Sequence, residues 1–260
     1  MQLDLAGRTA LITGASKGIG LACAEVLAEE GCHLHLAARS GDALAALAER
    51  LRSAFGVRVT AHALDLGSTA AMERLAEAAS DSNILINNAG DIPAGPLGQV
   101  SDAALRRGFD LKVFGYITLT RELYPRMKAR GGGVIVNVIG NSGENWDASY
   151  FAGSTGNAAL MSFTKAIGGR SLDDGMRVVG VNPGPVATDR MVKIMKMKAV
   201  DMLGDESRWQ ELFAKYPGGR PATARETADL CAFLASPRAG YITGTVVTID
   251  GGISARGSVI

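Results

Sequence analysis

Short aliphatic and β-branched runs alternate along the chain with longer stretches in which apolar residues recur every three or four positions. The runs are RTALIT (8–13), HLHLAA (33–38), VRVTAHAL (57–64), NILINN (83–88), GVIVNVI (133–139), MRVVGVN (176–182) and TVVTID (245–250). Between them lie helical patterns at 18–30, 42–55, 69–79, 102–129, from about 150, 188–215 and 224–235. Seven strands joined by helical crossovers dictate parallel pairing with right-handed connections. The expectation is an α/β fold: one doubly wound, seven-stranded parallel sheet with helices on both faces. No linker or low-complexity segment interrupts it, so residues 1–260 read as a single domain. In such sheets ligands bind beyond the carboxyl ends of the strands.

Charge narrows the partners. Lysine and arginine (27) nearly balance aspartate and glutamate (26), which leaves no general field to attract nucleic acid or an anionic membrane, and a small-molecule substrate becomes the expectation. The N-terminal MQLDLAGRTALITG carries Asp4 and Gly7 ahead of a five-residue apolar run, neither a secretory signal nor a transmembrane span, and the protein reads as cytoplasmic. Cys23, Cys32 and Cys231 are scattered and read as buried free thiols. His33 and His35 read as packing or surface residues, and no metal is expected.

The strand ends carry the chemistry. TGASKGIG (13–20) follows the first strand and opens the first helix: Gly14 permits the tight turn, Gly18 admits a pyrophosphate to the backbone, and Gly20 lets the helix approach the sheet. That strand, glycine loop and helix form a dinucleotide-binding, Rossmann-like unit. At the end of the second strand, where an NAD site places a carboxylate on the ribose 2'-hydroxyl, there stand Ala38 and Arg39. With Lys17, Arg39 supplies two cations for a 2'-phosphate, which favours NADP over NAD. Asp65 offers an acceptor to the adenine edge, and NNAG (87–90) a small-residue wall against the ribose.

TGASKGIG, NNAG, VNPGPVAT (181–188) and TGTVVTIDGG (243–252), in that order and spacing, resemble the landmarks of the short-chain dehydrogenase/reductase family over nearly the whole chain. The resemblance implies an NAD(P)-dependent oxidoreductase acting on a small carbonyl or alcohol, assembled as a homotetramer or dimer with the last strand at an interface. It places the cofactor on Gly14, Ser16, Lys17, Gly18, Ile19, Gly20, Arg39, Asp65, Leu66, Asn88, Ala89 and Gly90. Pro183, Gly184, Val186 and Thr188 then hold the nicotinamide end.

The family's catalytic set is a serine after the fifth strand, a Tyr-x-x-x-Lys at the start of the next helix, and an asparagine in the long fourth helix. Tyrosine exchanges the substrate proton, lysine lowers the tyrosine pKa, and serine orients the carbonyl. Asn157 lies 26 positions before Pro183, a spacing typical of that lysine, and NAAL (157–160) reads like the family's KAAL. The register then puts Gly153 at the tyrosine, Gly140 at the serine and Lys112 at the asparagine, so all four members are replaced. A rival register uses Tyr150 with Ser154 and needs a three-residue deletion and an equal insertion.

In the first register the two glycines are expected to open a cavity beside the nicotinamide, within reach of Tyr150, Lys112, Asn141, Ser142, Ser154 and Asn157. Lys112 offers a cation for the hole left by the missing lysine, or is a solvated helix lysine. Glu144, Trp146 and Asp147 read as rim residues, and the segment 188–220 as a lid carrying Met191, Met195, Met197 and Met202. Three functions follow: an NADP-dependent oxidoreductase with a non-standard proton relay, a catalytically silent dinucleotide-binding subunit or sensor, or a lyase or isomerase using the enlarged pocket.

Overall fold

The strands β1 (Thr9–Thr13), β2 (His33–Ala38), β3 (Val59–Ala63), β4 (Ile84–Asn87), β5 (Gly133–Val138), β6 (Met176–Pro183) and β7 (Val246–Ile249) form one parallel sheet ordered β3-β2-β1-β4-β5-β6-β7. This is a computed structural model describing residues 2–256. The order reverses between β1 and β4, and the crevice beyond their carboxyl ends is the natural ligand position. β1, β4, β5 and β6 are buried throughout, as strands covered on both faces must be, whereas the edge strand β3 is largely exposed.

Two apolar layers hold the helices on the sheet. On one face α1 (Gly18–Glu29), α2 (Gly41–Phe55) and α8 (Ala224–Ala235) bury Leu27, Leu44, Leu51, Cys231 and Leu234 against Ile12, Leu36 and Val179. On the other, α3 (Thr69–Ala78) and α5 (Gly115–Ala129) bury Met72, Leu75, Leu119 and Leu123 against Leu11, Leu85 and Ile135. A smaller cluster, Val113, Tyr116, Ile139, Leu160 and Met161, seats α6 (Phe151–Gly168) at the end of β5.

Two helical stretches depart from the periodicity. The helix expected over 102–129 is α4 (Asp102–Phe109) and α5 joined by a π-helical turn, Asp110–Phe114. The inserted residue of such a turn re-aims the side chains around it, and Lys112 sits at its centre. The stretch expected over 188–215 is α7 (Asp189–Leu203), stopped by Gly204 at φ +72°, followed by 3₁₀ turns over Glu206–Lys215.

The three cysteines are free and buried. His33 Nδ1 accepts from the Arg58 N–H, while His35, nearly buried, places Nδ1 2.9 Å from His62 Nε2 and Nε2 2.8 Å from Asp81. Burial, and then the neighbouring His35, hold the His62 pKa below its ordinary value. An unfolded histidine takes up its proton near pH 6.5, so the unfolded state gains protons first and stability declines as pH falls below that value. The melting temperature of a His62→Gln variant is expected to fall less between pH 7 and pH 5 than that of the wild type.

Candidate active site

The glycine loop after β1 is shaped by close backbone approach. Gly14 has φ +68°, and a Cβ there would lie 2.9 Å from Asn88 Nδ2 and 3.0 Å from Ala89 Cα. A Cβ on Gly20 would lie 2.3 Å from the Gly14 carbonyl oxygen, so α1 presses directly on the loop. Thr13 and Asn88 lock the arrangement. Thr13 Oγ1 accepts from the N–H groups of Asn88 (2.9 Å) and Ala89 (3.0 Å), and Asn88 Nδ2 donates to the Thr13 carbonyl at 3.0 Å.

The start of α1 is left open for an anion. Lys17, its N-cap, makes no side-chain capping bond, and no acidic residue occupies the first turn. Free N–H groups and the positive end of the helix dipole therefore face the loop, where a pyrophosphate fits. Lys17 and Arg39 are exposed, and neither forms an ion pair among the described residues. Ser16 and Ile19 are half-buried along the loop. Asp65 is exposed just past β3, with one carboxylate oxygen accepting from the Gly67 N–H at 3.0 Å. The Leu66 side chain belongs to the core, which leaves its backbone as the part able to meet a ligand.

Across the crevice Pro183 ends β6, and Gly184 donates to the Ile249 carbonyl at 3.0 Å. A Cβ on Gly184 would fall 2.6 Å from Asp250 Cβ. Val186 bridges to Ala222, and Thr188 caps α7 by accepting from Met191 N–H. A Cβ on Gly18 (φ +60°) would lie 3.3 Å from Thr188 Cγ2, so the two ends of the crevice meet there.

Beyond β5 a second group assembles. From the π-helical turn the Lys112 side chain crosses Gly90, whose added Cβ would lie 2.8 Å from Lys112 Cδ. Its ammonium donates to the Ile139 carbonyl at 2.5 Å and to Asn157 Oδ1 at 3.0 Å. Asn157, 3% exposed in α6, passes the contact on through Nδ2, which donates to Ser142 Oγ at 2.8 Å. Gly140, at φ +133°, admits this amide, since a Cβ there would stand 2.8 Å from Asn157 Nδ2.

One turn before Asn157, the ring of Tyr150 lies over Gly153, where a Cβ would come within 2.0 Å of Cε1. Tyr150 is thus the neighbour that folds inward: its ring and the Asn157 amide occupy room beside the two glycines, where a cavity was expected unless a neighbour filled it. Ser154 faces the other way, accepting from the Asp147 N–H at 3.4 Å.

Residues 8–199 match the family described as short chain dehydrogenase. The chain belongs to the short-chain dehydrogenase/reductase family. It is 32% identical over 250 residues to a galactitol 2-dehydrogenase (L-tagatose-forming) of Cereibacter sphaeroides, covering 95% of each chain. To a 3-oxoacyl-acyl-carrier-protein reductase of Vibrio cholerae it is 33% identical over 258 residues, 96% of this chain and 99% of the relative. The solved structure of L-sorbose reductase from Gluconobacter frateurii, complexed with NADPH and L-sorbose, superimposes with a TM-score of 0.92 at 33% identity, covering 98% of this chain and 99% of that one.

In this short-chain dehydrogenase/reductase the residues read as rim lie in the loop between β5 and α6. Glu144 accepts from Asn182 Nδ2 (3.0 Å) and from Thr248 Oγ1 (3.2 Å). Trp146 is 81% exposed and donates to the Gly143 carbonyl, so it does not fold inward. The Asp147 carboxyl is held below its usual range by bonds from Ser149, with the charge of Lys198 on α7 adding to the effect. Of the α7 methionines, Met191 and Met195 are buried while Met197 and Met202 are exposed. Sequence reasoning missed the Ile139 carbonyl, for which no side-chain signal exists, and the Asn141 bond to Asp250 (3.2 Å), which ties this loop to the end of β7. Among the described residues no helix is long and apolar enough to cross a membrane, and no group of histidine, cysteine or acidic side chains is disposed to hold a metal.

Proposed function

We propose that this chain is an NADP-dependent oxidoreductase that interconverts a small carbonyl compound and its alcohol, with a proton relay rebuilt from Tyr150 and Lys112. The carrying observation is the Lys112 to Asn157 bond at 3.0 Å. In the register that sets Asn157 at the family's lysine and Lys112 at its asparagine, the two residue types have exchanged helices, and the ammonium still reaches the α6 position it left. Gly153 and Gly140 then stand at the tyrosine and serine positions, and Tyr150 brings a phenol back over Gly153 from one turn earlier.

The residues present fit the dinucleotide. Gly14, Ser16, Gly18, Ile19 and Gly20 would cradle the pyrophosphate, Lys17 and Arg39 the 2'-phosphate, Asp65 and the Leu66 backbone the adenine. Asn88, Ala89 and Gly90 would line the ribose, and Pro183, Gly184, Val186 and Thr188 the nicotinamide. NADPH, when bound, would supply a hydride to the carbonyl carbon. The chain's own part is the proton: Tyr150 would donate it to the carbonyl oxygen, and Lys112, reaching Asn157 on α6 from the π-helical turn, would favour the phenolate that results. The likeness to L-sorbose reductase and galactitol 2-dehydrogenase supports a ketose or polyol as substrate. We further read residues 1–260 as one dinucleotide-binding domain with a lid at 188–220, a cytoplasmic protein, assembled as a homotetramer or dimer through the half-exposed edge strand β7.

Two experiments test this reading. The first is steady-state NADPH oxidation across a carbonyl panel that includes L-sorbose: turnover is expected, and binding without turnover would favour the silent subunit. The second is cofactor titration. Charge-assisted bonds to a 2'-phosphate contribute roughly 1.5–3 kcal/mol each, so NADPH is expected to bind at least about tenfold more tightly than NADH, and Arg39→Ala to remove most of the difference. Equal affinities in the wild type would sink the assignment.

A further inference from the structure

Tyr150 stands just ahead of α6, with its main chain outside the helical region at φ −139° and ψ 36°. The helical repeat therefore does not place its ring, and the preceding turn, Ala148–Tyr150, has to. Asp147 spends its carboxylate, its carbonyl and its N–H on that turn. The carboxylate accepts from the Ser149 N–H at 2.8 Å and from Ser149 Oγ at 2.6 Å, the carbonyl accepts from the Tyr150 N–H at 2.9 Å, and the N–H donates to Ser154 Oγ on α6 at 3.4 Å. An aspartate bonded to the N–H two residues further on locks a turn of this kind. A second element grips the same turn: the Gly95 N–H, from the loop after β4, donates to the Ser149 carbonyl at 2.8 Å.

We infer that Asp147 is a positioning residue for the reduction: it sets the turn that lays the Tyr150 phenol over Gly153, and it does not itself meet the substrate. This deepens the oxidoreductase reading and rests on it. The reason for an acid at 147 is local. Both donors of Ser149 converge on one carboxylate oxygen, and an ionised acceptor binds them more tightly than a neutral one. The same bonds hold the Asp147 carboxyl below its usual range, so it stays ionised and serves as a fixed acceptor, not as a source of protons. Asp147 is exposed to water, where such bonds add little to stability; what they contribute is direction. Without them the segment carrying Tyr150 loses its side-chain fastening, and a misplacement of about 1 Å at a reacting group costs on the order of 100-fold in rate.

The test measures Asp147→Ala, Asp147→Asn, Tyr150→Phe and the double variant Asp147→Ala with Tyr150→Phe, using full-length protein, NADPH, and L-sorbose or the best carbonyl of the panel as probe. Asp147→Ala is expected to lose about 10- to 100-fold in kcat while KM changes less and NADPH affinity holds. Asp147→Asn, whose amide oxygen can accept from the same Ser149 N–H, is expected to recover most of the loss, which a proton-transferring carboxyl does not predict. In the Tyr150→Phe background Asp147→Ala is expected to cost nothing further, because a residue that acts through the phenol has nothing left to position. Wild-type kcat in Asp147→Ala would overturn the inference and leave the oxidoreductase reading standing, and full multiplication of the two losses in the double variant would do the same. A readout that needs no turnover is nitration of Tyr150 by tetranitromethane, located by peptide mass. It is expected to be faster in Asp147→Ala than in the wild type and unchanged in Asp147→Asn; equal rates in all three would mean that Asp147 does not hold the ring. A wild-type protein that binds NADPH and reduces no carbonyl in the panel would overturn the oxidoreductase reading, and the nitration rates then decide alone whether Asp147 places Tyr150.

Discussion

Tyr150→Phe is expected to lower kcat for carbonyl reduction about 100-fold or more, with NADPH binding unchanged. Loss of a general acid typically costs about 10²–10⁴ in rate, and the phenol is the group the structure lays over the position where a side chain from residue 153 would begin. The ring stays in the variant, so the packing over Gly153 is kept and only the proton is removed. Lys112→Met is expected to reach a similar loss by another route. It removes the cation and the bond that orients Asn157, releasing the amide to turn and Ser142 with it. If both variants retain wild-type kcat, the proton comes from water or from the substrate, and the rebuilt relay is wrong.

Placing the family's tyrosine and lysine at the positions the proposed register assigns them is expected to harm this protein. In the double variant Gly153→Tyr with Asn157→Lys, the new Cβ at 153 lands 2.0 Å from the Tyr150 ring, which must be expelled. At 157 an ammonium arrives where Asn157 Oδ1 now takes the Lys112 proton at 3.0 Å, setting like charge against like charge. Overpacking of this kind costs about 2 kcal/mol, equivalent to a melting temperature lower by roughly 4–8 °C in a domain near this size. Carbonyl reduction should fall with it, while NADPH affinity survives because the glycine loop is untouched. An unchanged melting temperature together with faster reduction would mean that the four replacements are decay, repairable at no cost.

The sheet was legible because its signal is local. Each buried strand is a short run dominated by aliphatic and β-branched residues, and Gly14 and Gly20 announce by their missing side chains the backbone contacts made there. The π-helical turn was not legible, since 102–129 keeps one apolar period through Asp110–Phe114 and a single inserted residue leaves no compositional mark. The candidate site was half legible. The proposed register, which sets Gly140, Gly153, Asn157 and Lys112 at the family's catalytic positions, comes from counting residues. That Tyr150 fills the space over Gly153, so that no cavity forms there, depends on the chain's approach to α6. The direction of the Asn157 amide, and with it the bond to Ser142, depends on a lysine 45 positions away in sequence.

The central claim is that this chain, with Gly153 and Asn157 at the α6 positions the proposed register gives to tyrosine and lysine, reduces a carbonyl at the expense of NADPH. The measurement that meets it directly is NADPH consumption by the wild-type protein with a ketose panel, with the alcohol product quantified in the same reaction. The account predicts saturable turnover, one alcohol formed for each NADPH oxidised, and a loss of about 100-fold in Tyr150→Phe. Tight NADPH binding with no alcohol formed from any member of the panel would contradict it.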